Sequence, residues 1–328
     1  MPRSWGYWTR GKLDVLRRHL DAFTTASKGV SERIYLDLFA GEPSNTERFT
    51  GEPIEGSARI ALATDDPPFT RLRFFELSPR AGRLQAQIDA EFLGRDARVI
   101  PGDCNDTIHD ALRELRPLNW APTFAFIDPN GPNFRWSTLE ALAAFKRPGY
   151  SKVELWILFP AGLATRMLPV DGGVRASDAA LLTTMYGTEG WRDIYRGRLE
   201  SLLTPAEARE EYVNLMRWRL ERVLGYRFTA DLDVVNERGA HLYHMIFATD
   251  HDAGTRIMTA LYRKAAGDFP QMRRQARERR RVHEEQAQGI LRLPGMDDLE
   301  SEIRPGERFY EHAPPTPPWR PPDAPAEE

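Results

Sequence analysis

Arg33-Ile34-Tyr35-Leu36-Asp37-Leu38-Phe39-Ala40-Gly41 decides the fold. An apolar, β-favouring run ends in an acid, an aromatic residue and two small residues. A strand buried on both faces reads as such a continuous run, because helices cover both sides of a parallel sheet. At its carboxyl end the backbone turns sharply and comes close to a ligand, which suits Ala40 and Gly41. Taken alone, the stretch is the first strand and turn of any α/β protein. The pattern then recurs. Acids close the later strand candidates: Glu76 in Arg73-Phe74-Phe75-Glu76, Asp103 after Val99-Ile100-Pro101-Gly102, and Asp128 after Phe124-Ala125-Phe126-Ile127. Glu76, Asp103 and Asp128 stand 27 and 25 residues apart, the length of one strand–helix unit.

The 328 residues suffice for one large α/β domain with additions, or for two modest domains. A hydrophobic content of 41% and an aromatic content of 10% supply a core. The net charge of −3 argues against general polyanion binding by the whole molecule. A single cysteine, Cys104, excludes an internal disulfide and a multi-cysteine zinc site supplied by this chain alone. No apolar run reaches the roughly 18–20 residues that span a bilayer. Met1-Pro2-Arg3-Ser4-Trp5-Gly6 lacks the apolar core of a signal peptide. The expectation is a cytoplasmic protein with no membrane segment.

In chain order, Leu13, Leu16, Leu20 and Phe23 recur at helical spacing and predict an amphipathic helix over 13–26, anchored by Trp5, Tyr7 and Trp8. After Gly41, residues 42–56 form a polar loop without periodicity. It is long for a connection that usually takes about 2–6 residues, and reads as a lid at the active edge or as a surface insertion. Strand and helix candidates then alternate to Val153–Phe159. Residues 165–225 read as a helical insertion. Phe228–Val235 and Leu242–Thr249, joined through Asn236-Glu237-Arg238-Gly239-Ala240, predict an antiparallel hairpin, and Asp252–Ala265 a last core helix. The expected organisation is an N-terminal helical segment (1–30), an α/β domain (31–268), a basic helix (269–293) and a Pro-rich tail (294–328). The tail cannot bury a core and is expected to be disordered.

Strands that end in acids, closed by an antiparallel hairpin, resemble the class I S-adenosylmethionine (SAM)-dependent methyltransferases. The fold implied is α/β and Rossmann-type, a mostly parallel sheet with a C-terminal hairpin. On that resemblance Glu76 accepts from the ribose hydroxyls, and Asp103, with the Cys104 backbone beside it, meets the adenine. Asp37 and the Phe39-Ala40-Gly41 turn meet the methionine part. Asp128-Pro129-Asn130-Gly131 resembles the Asp/Asn-Pro-Pro-aromatic motif of amino-methyltransferases acting on adenine or cytosine. There the acid and a following carbonyl orient the target amine and stabilise its developing charge. Position 131 is Gly, so Phe134 or Trp136 is the expected replacement for the stacking aromatic. The plain alternative is a Pro-Asn-Gly turn after a strand.

Taken together, Lys12 and Leu16, the Tyr35–Gly41 stretch, Gly56-Ser57, Phe75-Glu76, Gly102-Asp103, Phe126-Ile127-Asp128-Pro129 and Leu242–Thr249 resemble the three-Cys-motif partner (TcmP) protein family, over about residues 8–265. That resemblance implies a methyltransferase-like fold and a partner protein bearing a three-cysteine motif like that of radical-SAM proteins. The chain departs from the pattern at Pro43, where glycine is expected, and at Asn130, where an aromatic is usual. Pro43 removes a backbone donor and fixes φ.

Two functions therefore compete. One is a SAM-dependent methyltransferase acting on an exocyclic amine of a base or nucleoside-like substrate. The other is a catalytically weak scaffold serving a partner enzyme. A nuclease in which Asp37, Asp103 and Asp128 share Mg²⁺ is disfavoured, because hard-metal sites need carboxylates converging on one point; no metal is expected. Arg273, Arg274, Arg277, Arg279, Arg280 and Arg281 form a basic run. It reads as a solvated helix face paired internally with Glu278, Glu284 and Glu285, as a phosphate-contacting arm on nucleic acid, or as a partner contact.

Overall fold

The computed structural model describes residues 4–41, 44–47, 53–287 and 310–322. The elements run β1 (Ser4–Trp5), α1 (Tyr7–Ala26), β2 (Ile34–Asp37), β3 (Ser44–Glu47), β4 (Pro53–Glu55), α2 (Ser57–Ala63), β5 (Arg71–Glu76), α3 (Arg80–Glu91), β6 (Ala97–Pro101) and α4 (Cys104–Glu114). There follow β7 (Thr123–Ile127), α5 (Trp136–Ala144), β8 (Glu154–Phe159), α6 (Ala161–Met167), α7 (Ala176–Tyr186), α8 (Trp191–Leu199), α9 (Pro205–Arg222), β9 (Phe228–Val235), β10 (His241–Thr249) and α10 (Asp252–Ala287).

The main sheet has seven strands in the order β6-β5-β2-β7-β8-β10-β9. Its first five strands are parallel, and β10 runs antiparallel to both β8 and β9. This is the Rossmann-type arrangement with a C-terminal hairpin that the acid-ended strands predict. The chain leaves β2 toward β5 on one side and later returns as β7 on the other. Ligands bind outside the carboxyl ends of the strands at such a switch point.

Strand alternation splits the core in two. Ile34, Leu36, Ala125 and Ile127 face α4, α5 and the helical insertion, whereas Tyr35, Phe124 and Phe126 face α1, α2 and α10. Every residue of β2, β7 and β8 is buried, which is why these strands read as unbroken apolar runs. The insertion, α6 to α9, closes around Tyr186, Trp191, Tyr212 and Met216. Its longest helix, α9, starts with a capping box: Thr204 Oγ1 accepts from the Glu207 backbone, and the Glu207 carboxylate accepts from the Thr204 backbone.

Four features differ from the sequence expectations. Helix α1 begins at Tyr7, whose hydroxyl donates to the Val235 carbonyl at 2.5 Å, so this aromatic is an anchor. The 42–56 loop contains the hairpin β3–β4, with β1 parallel to β3. Ser44-Asn45-Thr46-Glu47 shows no apolar alternation, so nothing in its pattern announces a strand; residues 42–43, Pro43 among them, lie outside the described residues. The core helix and the basic helix are one, because α10 runs through Pro270. Proline usually ends a helix, but here Phe269 packs on Gly11 before it and Ala276 is buried after it.

The fourth difference is the tail. Residues 310–322 are extended, as their composition predicts, yet they lie on the body rather than free of it. Thr316 N donates to Asn214 Oδ1 at 2.9 Å, Trp319 N to Glu211 Oε2 at 3.0 Å, and Arg217 Nη2 to the Ala313 carbonyl at 2.6 Å. Polar side chains of α9 thus hold the tail's backbone, while Trp319 packs on Gly197 and Tyr310 on Tyr262. Residues 294–309 and 323–328 lie outside the described residues.

Candidate functional site

The carboxyl edge of the sheet carries all four strand-end acids, in two environments. Asp37 is fully buried beneath the first turn. Its Oδ2 accepts from the Tyr35 hydroxyl at 3.2 Å, its Oδ1 from Phe39 N at 3.3 Å, and the Ser57 hydroxyl also bonds to it. Burial raises its pKa to about 7, and the nearby charge of Asp128 adds to this against those hydrogen bonds. Asp37, expected to meet the methionine part of a cofactor, is instead walled off. Strand parity places it with Tyr35 on the α1 face, away from the cavity described below.

A carboxyl whose pKa is raised by folding favours the native state while it is neutral. That stabilisation is complete below the ordinary carboxylate pKa and is lost as pH rises through about 7. We expect ionisation of Asp37 to cost up to about 4 kcal/mol of stability between roughly pH 4 and pH 8. Asp37→Asn should flatten the fall. Denaturant unfolding at several pH values checks this, and equal slopes in both proteins would refute it.

Glu76 is buried and acts as a clamp. Its Oε2 accepts from Gly41 N at 2.8 Å; its Oε1 accepts from Leu77 N and Arg80 Nε, each at 2.8 Å. Gly41 sits at φ +66°, a left-handed conformation that suits glycine, and Ala40 N donates to the Phe75 carbonyl at 3.0 Å. The first turn is thereby tied to the second strand. A carboxylate has about four acceptor positions, so these three donors leave Glu76 one for a ligand.

Asp103 caps α4. Its Oδ1 accepts from Asn105 N at 2.9 Å and Asn105 Nδ2 at 2.8 Å, while Oδ2 lies 3.6 Å from Arg135. Cys104 is buried; burial first, and the charge of Asp103 second, push its thiol up to about 12, so it is wall rather than nucleophile. Asn105, which sequence reading passed over, ties the region together. Its Nδ2 also donates to the Asn133 carbonyl at 2.7 Å, and its Oδ1 accepts from Arg135 N and Thr138 Oγ1, each at 2.8 Å. An amide two residues after a strand-end acid, where α4 begins, was the available signal.

These groups surround a cavity of about 330 Å³ whose walls include Phe39, Glu76, Asp103, Asn105, Asn130 and Phe134. That volume is within the range of about 300–1,000 Å³ for small-molecule sites.

Asp128 stands two residues before Asn130, on the α1 side. The Lys12 ammonium is bonded to its Oδ2 across 116 residues of sequence. Tyr243 from β10 presents a buried hydroxyl with no hydrogen-bond partner among the described residues. Burial first, and the Asp128 charge second, hold that phenol well above its usual pKa. Pro129 is half-buried and Asn130 exposed. The aromatics expected to replace position 131 are elsewhere. Phe134 lines the cavity with Asp103, and Trp136 is covered by Arg219 at 4.3 Å and packs on Gly187. Tyr243, like Tyr35, is an aromatic near enough to feel the Asp128 charge. Tyr243 reaches there because β10 is antiparallel and brings its first residues to the carboxyl end of β8.

Asp37, Asp103 and Asp128 do not converge: one is enclosed, one caps a helix and one pairs with Lys12. Among the described residues no three His, Cys, Asp or Glu side chains are grouped to hold a metal, and no helix is long and apolar enough to cross a membrane.

The basic run lies on the same edge. Arg277 Nε donates to the Glu237 carbonyl at 2.6 Å, and Arg280 reaches the Glu237 carboxylate at 3.4 Å, both at the β9–β10 turn. Arg280 also pairs with Glu284 and Arg281 with Glu278, as helical spacing predicts.

No protein-family model matches the chain, and neither does any curated protein. Among solved structures, a Legionella pneumophila protein of family DUF519 is similar at 11% identity and a TM-score of 0.39, covering 76% of this chain and 89% of that one. The methyltransferase domain of bacterial CtHen1-C is similar at 13% identity and a TM-score of 0.33, covering 71% and 98%. The strand order and the hairpin define the class: this chain has a methyltransferase-like fold.

Proposed function

We propose that the chain is a SAM-dependent methyltransferase acting on an exocyclic amine of a base or nucleoside-like substrate. The observation that carries this reading is the carboxyl-edge cavity with Glu76 clamped at its wall, Asp103 toward one end and the Asp128 loop at its border. In it Glu76 takes a ribose hydroxyl on its remaining acceptor position. Asp103 Oδ2 and the Cys104 backbone face the adenine, and the Phe39–Gly41 turn faces the methionine part. When bound, SAM would supply an electrophilic methyl group to the amine nitrogen, the carbon–sulfur bond breaking as the carbon–nitrogen bond forms.

Asp128 orients that amine through an N–H···O bond, opposes the positive charge growing on nitrogen and receives the proton released. Lys12 holds the carboxylate in place through Oδ2. The Pro129 carbonyl is a second acceptor for the amine, and Asn130 bounds the passage between amine and cofactor. A nucleic acid as carrier of the base belongs to the proposal only through the basic run, of which Arg280 and Arg281 already pair with Glu237, Glu284 and Glu278. A partner bearing a three-cysteine motif belongs to the proposal only through the family resemblance.

Transfer of radiolabelled methyl from SAM to tRNA, DNA or free nucleosides tests the reading; label in none of them, with the protein folded, would overturn it. Glu76→Ala should weaken SAM binding by about 1.5–3 kcal/mol, the range for a hydrogen bond to a charged group. Titration calorimetry checks this, and an affinity within twofold of wild type would remove Glu76 from the site.

A further inference from the structure

We infer that a second ligand site lies at the opposite, amino-terminal end of the sheet, and that it takes a small organic anion with a flat apolar body, such as an aromatic carboxylate. A cavity of about 440 Å³, larger than the one at the carboxyl edge, opens beneath Thr123 and Glu154, the first residues of β7 and β8. The full length of both strands separates it from the Asp128 loop. Phe23, Val30, Trp120, Tyr150 and Ile257 give it an apolar, partly aromatic wall.

Lys146 decides the charge of the occupant. Its ammonium bonds to the Ala121 carbonyl and lies 3.4 Å from Thr123 Oγ1, and it has no carboxylate partner among the described residues. A partly desolvated cation held by neutral oxygens and the face of the Phe145 ring, 5.8 Å from its centre, is costly unless a counter-charge arrives. Burial lowers its pKa to about 8, with Arg147 adding repulsion. The acid in the wall, Glu154, is engaged behind it: its Oε1 accepts from Thr249 Oγ1 at 2.8 Å, and its enclosed Oε2 lies 3.4 Å from His19. Lys152 adds positive charge at the lining. Lys152 is shared with Asp250 at 3.1 Å, which leaves Lys146 as the unneutralised group. An anion entering carboxylate-first would pair with Lys146 and lay its ring along Trp120 and Tyr150.

The test uses the full chain and three probes of one shape: 2-naphthoate, 2-naphthylmethanol and 2-naphthylmethylamine, titrated by calorimetry. Naphthoate should bind one to one, at least tenfold more tightly than either analogue. Lys146→Met should weaken it tenfold or more, and Val30→Trp, which fills the cavity, should abolish it. Neither change should move SAM binding. Affinity should fall as pH rises through about 8, because binding needs the ammonium. His251→Gln, repeated through the same pH series, removes the histidine of the lining as an alternative source of that fall. Unfolding midpoints show whether Val30→Trp folds; if it does not, Lys146→Met and the probe series decide alone. No naphthoate binding at millimolar concentration, equal binding of the amine, or an affinity in Lys146→Met within twofold of wild type would overturn the assignment.

Discussion

Asp128→Ala should lower the methyl-transfer rate by about 10²-fold or more while SAM affinity stays within about threefold. The asymmetry follows from position. The cavity wall includes Phe39, Glu76 and Asp103, whereas Asp128 stands outside that lining, two residues before Asn130, and holds Lys12. Truncation removes the acceptor for the substrate amine and leaves the largely buried Lys12 without its carboxylate. Asp128→Asn keeps an acceptor of similar shape, so it should retain more turnover than Asp128→Ala. Steady-state kinetics of both variants, with SAM affinity measured separately, decide the matter. A large loss of SAM affinity with turnover retained would assign Asp128 to the wrong ligand.

Arg217→Ala should destabilise the protein by about 3–5 kcal/mol, the cost of removing one partner from a buried ion pair. Arg217 is buried and donates to Asp231 Oδ1 at 2.7 Å, to the Thr229 carbonyl at 3.0 Å and to the Ala313 carbonyl at 2.6 Å. One guanidinium thus joins the helical insertion, the hairpin and the tail. Burial works to raise the Asp231 pKa, but the His244 hydrogen bond at 2.9 Å and the Arg217 charge hold it below the usual carboxylate range. Without Arg217 that carboxylate and His244 stay buried with half their support. Denaturant unfolding checks the figure. A loss under 1 kcal/mol would mean that water or local rearrangement replaces the arginine.

The parallel strands were legible because β2, β7 and β8 are buried on both faces and mostly apolar, and because acids recur at the carboxyl ends, where Asp37, Glu76, Asp103 and Asp128 appear. The hairpin was legible from the Asn236–Ala240 turn. What pattern alone hid was contact between distant residues. Lys12 and Asp128 pair across the whole first half of the domain, and α10 survives Pro270 because Phe269 and Ala276 pack. The tail docks in part through backbone N–H and carbonyl groups that any sequence supplies. Asp37 is a different case: alternation from Tyr35 places it on the α1 face, so its absence from the cavity was open to inference. Trp136 misled because an aromatic near Asp128 in sequence need not be near it in space. Asn105 shows how little a single amide announces when its role is to tie the Asn133 and Arg135 backbone to Thr138 and Asp103.

Titration calorimetry of the wild-type protein with SAM tests the central claim most directly. One site per chain, weakened in Glu76→Ala and almost unchanged in Asp128→Ala, is the result this account predicts. The absence of binding heat at millimolar SAM, with the protein folded, would contradict it and leave a methyltransferase-like scaffold in its place.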